Sequence, residues 1–436
     1  MRVKTFLLTA FFAVICANAQ TTLSLQRMFE IADEANAGVR AANVSVASAQ
    51  QQQAVSRAAR LPDINASLTL SYLGDGTILD RDFSNRRRDP LPHFSNTLEV
   101  SLYQPVYAGG AISHGITMAQ QQTALACNRR DGVRNDIRMS IVANYLELIK
   151  SRNLLGVYAE NISLTRKLLE EMEARHRQGV ALRNDITRYR LRLSTLSYDS
   201  LATANNADVC NANLVSLLGL DEQTRIIPEV GDTFDRVPSA TDEDSWKAMA
   251  RANATALSSL NTQTEIEKSA RAITHAQYLP KIGIVAGDNF LGPVTFEVPA
   301  LNTNYNAWFV GVNVKWNISS LFTTNKSTRR HDIELEHLAT QYDAESESLD
   351  RRIHEAYTLY SQAVQRLAIE EMNVRLAQEN YDIVSNRFDN QLALLTDMLD
   401  ASNARLDAGV RLVNARISTY YYYYQLNYIA GTLIQL

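Results

Sequence analysis

The chain has 436 residues, 46 % of them hydrophobic, with 43 Lys and Arg against 47 Asp and Glu, a formal net charge of -4. Mild acidity argues against nucleic-acid binding as a main task, and the length admits two or three ordinary domains. No segment after the first residues approaches the roughly 20 apolar residues of a spanning helix.

The opening MRVKTFLLTAFFAVICANAQ reads as a secretory signal over residues 1–19: Arg2 and Lys4, an apolar run from Phe6 to Ile15, then Ala17-Asn18-Ala19 before Gln20. Cys16 raises a lipoprotein reading, but Ile15 stands where a small residue would be wanted. Removal of the signal leaves 41 basic residues against 47 acidic, because Arg2 and Lys4 go with it. Leu25 to Arg60, rich in Ala and Gln, predicts a helix that ends before Leu61-Pro62. Ile64, Ala66, Leu68, Leu70 and Tyr72 then alternate with small or polar residues as one strand, a polar loop covers 75–96, and Leu98, Val100 and Leu102 resume the alternation. That is a β-hairpin with a long loop.

From about Ile112 to His176 the chain has no Pro and carries Ile141, Leu148, Leu155, Ile162 and Leu169 every seven residues, a helix of about 100 Å at 1.5 Å per residue. It turns at Gln178 to Asn184 and returns with Leu196, Thr203, Cys210 and Leu217. In such a hairpin Cys127 and Cys210 sit at different heights, which argues against a disulfide, and Cys210 reads as a small buried hydrophobe. Residues 221–245, with Pro228, Pro238 and an acidic cluster, form a connector.

The second half repeats the device. Ile282 to Leu291 is followed by a loop and by Trp308, Val310, Val312, Val314 and Trp316 in alternation with Phe309, Gly311, Asn313 and Lys315. Trp308 and Trp316 at the ends of an apolar face fit either the lipid-facing girdle of a transmembrane β-strand or a half-buried strand of a soluble sandwich. A second long helix from about Lys326 to Asn386 carries Ile353, Tyr360, Leu367, Val374 and Tyr381, then breaks at Asp389 to Thr396. A shift of about 212 positions superposes the two heptad series, Asp185 on Asp397 and Gly219 on Gly431. The expected organisation is a first repeat over 20–220, the connector over 221–245 and a second repeat over 246–436, mixed α and β but mainly α. Because sheet edges cannot face lipid and closed barrels need about eight strands or more, four strands per chain predict that several copies share one barrel.

These residues resemble the TolC-type outer membrane efflux proteins: the signal peptide, Leu61-Pro62 before the first strand, SLYQPVYAGG at 101–110, the turns GVALRND and QLALLTDMLDA, and a terminal GTL. The resemblance covers essentially the whole mature chain. It implies a homotrimer with a shared 12-stranded barrel in the outer membrane and a periplasmic tunnel of coiled-coil helices, docked on a periplasmic adaptor and an inner-membrane pump of RND or ABC type. The second half departs from the pattern with WNISSLFTTNK in place of a Gly-Gly end.

By the same resemblance Asp397, Asp400 and Asp185 line a periplasmic aperture; the alternative is that they are helix N-terminal charges complementing the dipole. A basic latch residue of the family would fall at Ala393, with Arg183 a possible substitute. Gly179, Val180, Ala181 and Leu182, with Gln391, Leu392 and Ala393, resemble adaptor-docking tips, or are plain hairpin turns. Arg86, Arg87 and Arg88 meet anionic lipopolysaccharide or form a solvated charge run, and Tyr420 to Tyr424 suit a crowded helix junction. His331 and His337 are six apart and do not stack as metal ligands. With no H-E-x-x-H, P-loop or G-x-S-x-G, no catalytic residue, cofactor or metal is expected. The competing function is a periplasmic coiled-coil scaffold without a channel.

Overall fold

The structure, a computed structural model, describes residues 20–229, 237–390 and 392–435. The signal segment, part of the connector and Gln391 lie outside the described residues. In chain order the elements are β1 (Gln20–Leu23), α1 (Leu25–Ala35), α2 (Ala37–Ala58), β2 (Asp63–Tyr72), β3 (Gly76–Ile78), β4 (Arg87–Asp89), β5 (Phe94–Tyr107), α3 (Ala111–Arg177), α4 (Arg183–Leu218), β6 (Arg225–Pro228), α5 (Glu243–Asn253), α6 (Thr255–His275), β7 (Lys281–Gly292), β8 (Tyr305–Lys315), α7 (Ser320–Asp389) and α8 (Leu395–Ile429). They form two compact units, each drawing on both halves of the chain.

The first unit comprises the described residues of Met1–Asn43, Arg129–Ala256 and Glu345–Leu436. The single helix expected over Leu25 to Arg60 is two, because Asn36 adopts an extended backbone and its Oδ1 accepts the N–H of Gly38 at 2.8 Å and of Val39 at 3.2 Å. Asparagine competes for the backbone and so starts a new helix. The connector holds a strand of its own, since β6 pairs in parallel with β1 from Gln20↔Arg225 to Leu23↔Pro228.

Along α7, Ile353, Tyr360, Leu367 and Tyr381 of the expected heptad series are buried and Val374 is half-buried, with Leu349, Ala356 and Ala363 as the second position of the seam. In α3, Ile141, Val142, Tyr145, Leu146, Leu148 and Ile149 are all buried, a face too wide for one seam, and the line continues through Leu154 and Met172. Leu155, Ile162 and Leu169 are half-buried instead.

Both repeats close their helices with the same device. Leu220 N–H bonds back to Val215 O at 3.0 Å past Gly219, and Thr432 N–H to Asn427 O at 2.9 Å past Gly431. The glycines have φ of +63° and +71°, the left-handed conformation that ends helices without a Cβ penalty.

The second unit comprises Val44–Asn128 and Leu257–Ala344 and contains a four-stranded antiparallel sheet in the order β2-β5-β7-β8. Helices α2, α3, α6 and α7 join it at one end, where Asp63 faces Tyr103, Tyr107 faces Ile282 and Lys281 faces Lys315. The hairpin loops lie at the other end, where Tyr72 faces Phe94 and Leu291 faces Tyr305. The two strand-to-helix turns differ as their sequences do. Gly109 and Gly110 take φ of +62° and +87° before α3, and a Cβ on Gly109 would lie 2.9 Å from Ala276 O. The turn before α7 needs no glycine, because Ser320 N–H bonds to Asn317 O at 3.1 Å and its Oγ donates to Gln277 O at 2.7 Å.

Candidate functional site

The two helical hairpin turns are built alike and lie in the first unit. Val180 N–H bonds to Arg175 O at 3.0 Å, and Leu392 N–H to Arg387 O at 2.7 Å, so each long helix closes with a bond five residues back. Gly179 takes φ +79°. The returning helices then start with an aspartate at the third position: Asp185 Oδ2 accepts Leu182 N–H at 3.1 Å and Asp397 Oδ2 accepts Leu394 N–H at 3.0 Å. This is half of a capping box, since a leucine side chain returns no bond. Both aspartates therefore satisfy and complement a helix N-terminus. Asp400 is exposed one turn further on and makes no hydrogen bond or ion pair among the described residues. Arg183 is likewise exposed and unpaired among them.

The tips divide into anchors and exposed side chains. Ala181 and Ala393 pack against a cluster of Met172, Ile186, Tyr189, Tyr381, Phe388 and Met398 drawn from both hairpins. Arg175 lies over Phe388 at 4.9 Å and Arg405 over Tyr381 at 4.6 Å, capping the cluster with cations. Val180, Leu182, Leu392 and Leu394 point outward, from 69 % exposed at Leu392 to 74 % at Val180. Leu394 is the member that sequence reasoning passed over; the same offset that pairs Asp185 with Asp397 pairs Leu182 with it.

The sheet has one apolar and one polar face. Register places Ile64, Leu102, Ala286 and Val310 in one row, and Ala66, Val100, Asp288 and Trp308 in the next. The opposite face carries rows such as Asn65, Ser101, Gly287 and Phe309, or Ser67, Glu99, Asn289 and Ala307. On this side two aromatics lie over glycines: a Cβ on Gly283 would fall 2.4 Å from Tyr103 Cε2, and one on Gly287 2.6 Å from Phe309 Cε1. Among the described residues nothing covers the apolar face, where Leu70 is 60 %, Trp308 75 % and Tyr72 76 % exposed. A soluble sandwich would bury it. Both edge strands, β2 and β8, also have an unpaired side within the sheet. Trp308 stands on the apolar face, whereas Trp316 follows the end of β8, and its Nε1 donates to Tyr278 O at 3.0 Å.

Other residues singled out in the sequence have local partners. Tyr420 is in the helical core, Tyr423 packs edge-on to Trp246 at 6.5 Å, and burial pushes the Tyr424 hydroxyl up to about 12. His331 is buried, with Nδ1 2.5 Å from Glu267 Oε1 and Nε2 2.9 Å from Thr274 Oγ1, while His337 is exposed beside Gln341. Among the described residues no group of three or more His, Cys, Asp or Glu is placed to hold a metal. Cys127 and Cys210 are free thiols. No helix of the described residues is long and apolar enough to cross a membrane.

The profile of the family described as outer membrane efflux protein matches residues 29–220 and 246–432. No curated protein sequence matches the chain significantly. Among solved structures it is similar to the outer-membrane channel OprN at 14 % identity and TM-score 0.77, over 94 % of this chain and 91 % of that one. The outer membrane protein VceC of Vibrio cholerae matches at 16 % and 0.75, over 93 % and 96 %, and the CmeC outer membrane channel of Campylobacter jejuni at 13 % and 0.75, over 94 % and 85 %. At these identities the likeness is one of fold, an architecture of long helices and a small set of strands. With the family profile matched through both repeats, the chain belongs to the outer membrane efflux protein family and resides in the outer membrane with a large periplasmic portion.

Proposed function

We propose that three copies of this chain pool their strands into one 12-stranded barrel and that their helical hairpins line a periplasmic tunnel, through which substrate passes from a periplasmic adaptor and an inner-membrane pump to the exterior. The observation that carries this reading is the sheet: an uncovered apolar face opposite a polar one, with an open edge on either side. Lipid covers the first and a neighbouring copy's strand satisfies the second, since unpaired backbone groups in a bilayer cost several kcal/mol each. The pump is of the RND or the ABC type, serving drug efflux or type I secretion. Asp397 and Asp400, with Asp185, ring the periplasmic aperture, and the aliphatic tips meet the adaptor. Trp308 and Trp316 form the lipid-facing girdle.

The mass of the detergent-solubilised protein tests the assembly. A threefold species is expected. A stable monomer refutes both the barrel and the tunnel, and leaves the periplasmic scaffold as the better reading.

A further inference from the structure

The loop of the first hairpin is a folded object with an unbalanced surface. Between Tyr72 and Phe94, β3 and β4 pair from Gly76↔Asp89 to Ile78↔Arg87, and the base is tied by Leu73 N–H to His93 O at 2.8 Å. Its acids are largely engaged in holding this shape. Asp75 takes the Arg88 guanidinium, Asp80 accepts Asn85 Nδ2 at 2.6 Å, and Asp82 accepts both the N–H and the hydroxyl of Ser84. The cations are not so engaged. The side chains of Arg81, Arg86 and Arg87 are exposed and make no hydrogen bond or ion pair among the described residues.

At the tip, Phe83 and Asn85 hold φ of +65° and +51°, the left-handed conformation that residues other than glycine adopt infrequently. Phe83, which lies between Arg81 and Arg86 in sequence, is 83 % exposed. Below the loop, on the apolar face, Leu70, Ser71, Tyr72, His93 and Phe94 line a recess of about 360 Å³. The His93 ring stacks on Tyr72 at 5.0 Å. An apolar recess at the rim of a lipid-facing surface, followed outward by unpaired guanidiniums and a projecting phenyl ring, matches one chemistry: an acyl chain joined to a phosphorylated headgroup.

We propose that the first hairpin loop binds a phosphate-bearing lipid of the outer leaflet, with the acyl chain in the Tyr72–Phe94 recess and the phosphates on Arg81, Arg86 and Arg87. Arg88 is a positioning residue, because it holds Asp75 and with it the loop. The inference rests on the sheet spanning the outer membrane with its helix-bearing end in the periplasm, which turns this loop outward. Continuity with the uncovered apolar face makes the occupant a membrane lipid rather than a free anion.

The protein purified in detergent, loaded with diphosphorylated lipid A and analysed by native mass spectrometry, tests the site. Retention of the lipid is expected for the wild type, and at least tenfold weaker retention for the Arg81→Gln, Arg86→Gln, Arg87→Gln triple variant, which loses its charge-assisted bonds to the phosphates. The same lipid stripped of its phosphates should bind wild type and variant alike. Equal retention of lipid A by both proteins overturns the proposal. Displacement of lipid A by millimolar inorganic phosphate also overturns it, in favour of a simple anion site. Outer-membrane fractionation and single-channel conductance of the variant separate this from failure of the channel: normal values with no lipid discrimination refute the lipid site alone.

Discussion

Two aspartates a single turn apart, Asp397 and Asp400, differ in what holds them. Asp397 accepts the N–H of Leu394 while Asp400 is unpartnered among the described residues. Asp397→Ala should therefore remove about 1 kcal/mol of cap energy and speed hydrogen exchange in the first turn of α8 roughly fivefold, whereas Asp400→Ala should leave exchange unchanged. If both ring an aperture, each substitution also weakens block by a trivalent cation in planar bilayers, because stacked like charges focus the field on a narrow opening. Altered exchange with intact block in Asp397→Ala, and intact block in Asp400→Ala, would return both residues to the helix-dipole reading. Asp33 is a residue whose charge matters for stability. Burial pushes its carboxyl up, but hydrogen bonds from Arg134 and Arg138 and their positive charges outweigh this, and it sits below the ordinary value of 3.8. A depressed folded value means that this contribution is complete above pH 3.8 and is lost as pH falls through the folded value. Unfolding midpoints measured between pH 6 and pH 2 should fall less steeply in Asp33→Asn than in the wild type at the acid end; parallel curves would count against the assignment.

At the scale of elements, the repeat is a repeat of terminations as well as of heptads. Gly219 and Gly431 end α4 and α8 in the left-handed region, yet their surroundings differ: an added Cβ would meet Ala35 O at 3.2 Å in the first and Asn253 O at 2.5 Å in the second. Alanine at either position costs about 1–2 kcal/mol in backbone conformation, and at Gly431 the carbonyl must also shift. Gly431→Ala should thus lower the thermal midpoint clearly more than Gly219→Ala; equal shifts would show that the local packing relaxes freely. Next to Gly431 the chain end is tied down, with Arg138 Nη1 donating to Leu433 O and Ile434 O at 2.9 Å each and Nη2 to Asp33 at 2.9 Å. The buried guanidinium, stacked at 4.8 Å over Phe29, couples α1, α3 and the terminus through one set of bonds.

For the whole molecule, the proposed function draws on surfaces that the described residues of a single chain leave open: the sheet's apolar face, its two edges and the four aliphatic tip residues. The tips are exposed on turns whose interior is already packed, so their substitution should not disturb the fold. If the tips meet an adaptor, Leu182→Asp together with Leu394→Asp is expected to abolish export in cells while membrane level and oligomer mass stay normal, because burying a leucine against a partner is worth about 1.5–3 kcal/mol and a carboxylate there gains none of it. Unchanged export would remove the turns from the adaptor interface.

Sequence periodicity by itself determined the duplication, the two hairpins, the long helices and the alternation of the strands, because helix and strand periods are local properties read within a few turns. It also located Asp185, Asp397, Gly219 and Gly431, since duplicated positions answer to one backbone requirement. Only the tertiary structure decided which face of each element is covered. It showed that no described residue covers the apolar strand face, which no alternation reveals, because an apolar stripe looks the same whether a core or a lipid lies against it. It split the first helix at Asn36, whose side chain bonds to α2 and to Leu217 O at 2.8 Å. It placed Leu394 at the tip and Trp316 against Tyr278, and it left the side chains of three arginines of the first loop without partners among the described residues while their neighbours paired. Each of these depends on residues distant in sequence meeting in space, and local propensity contains no record of such meetings.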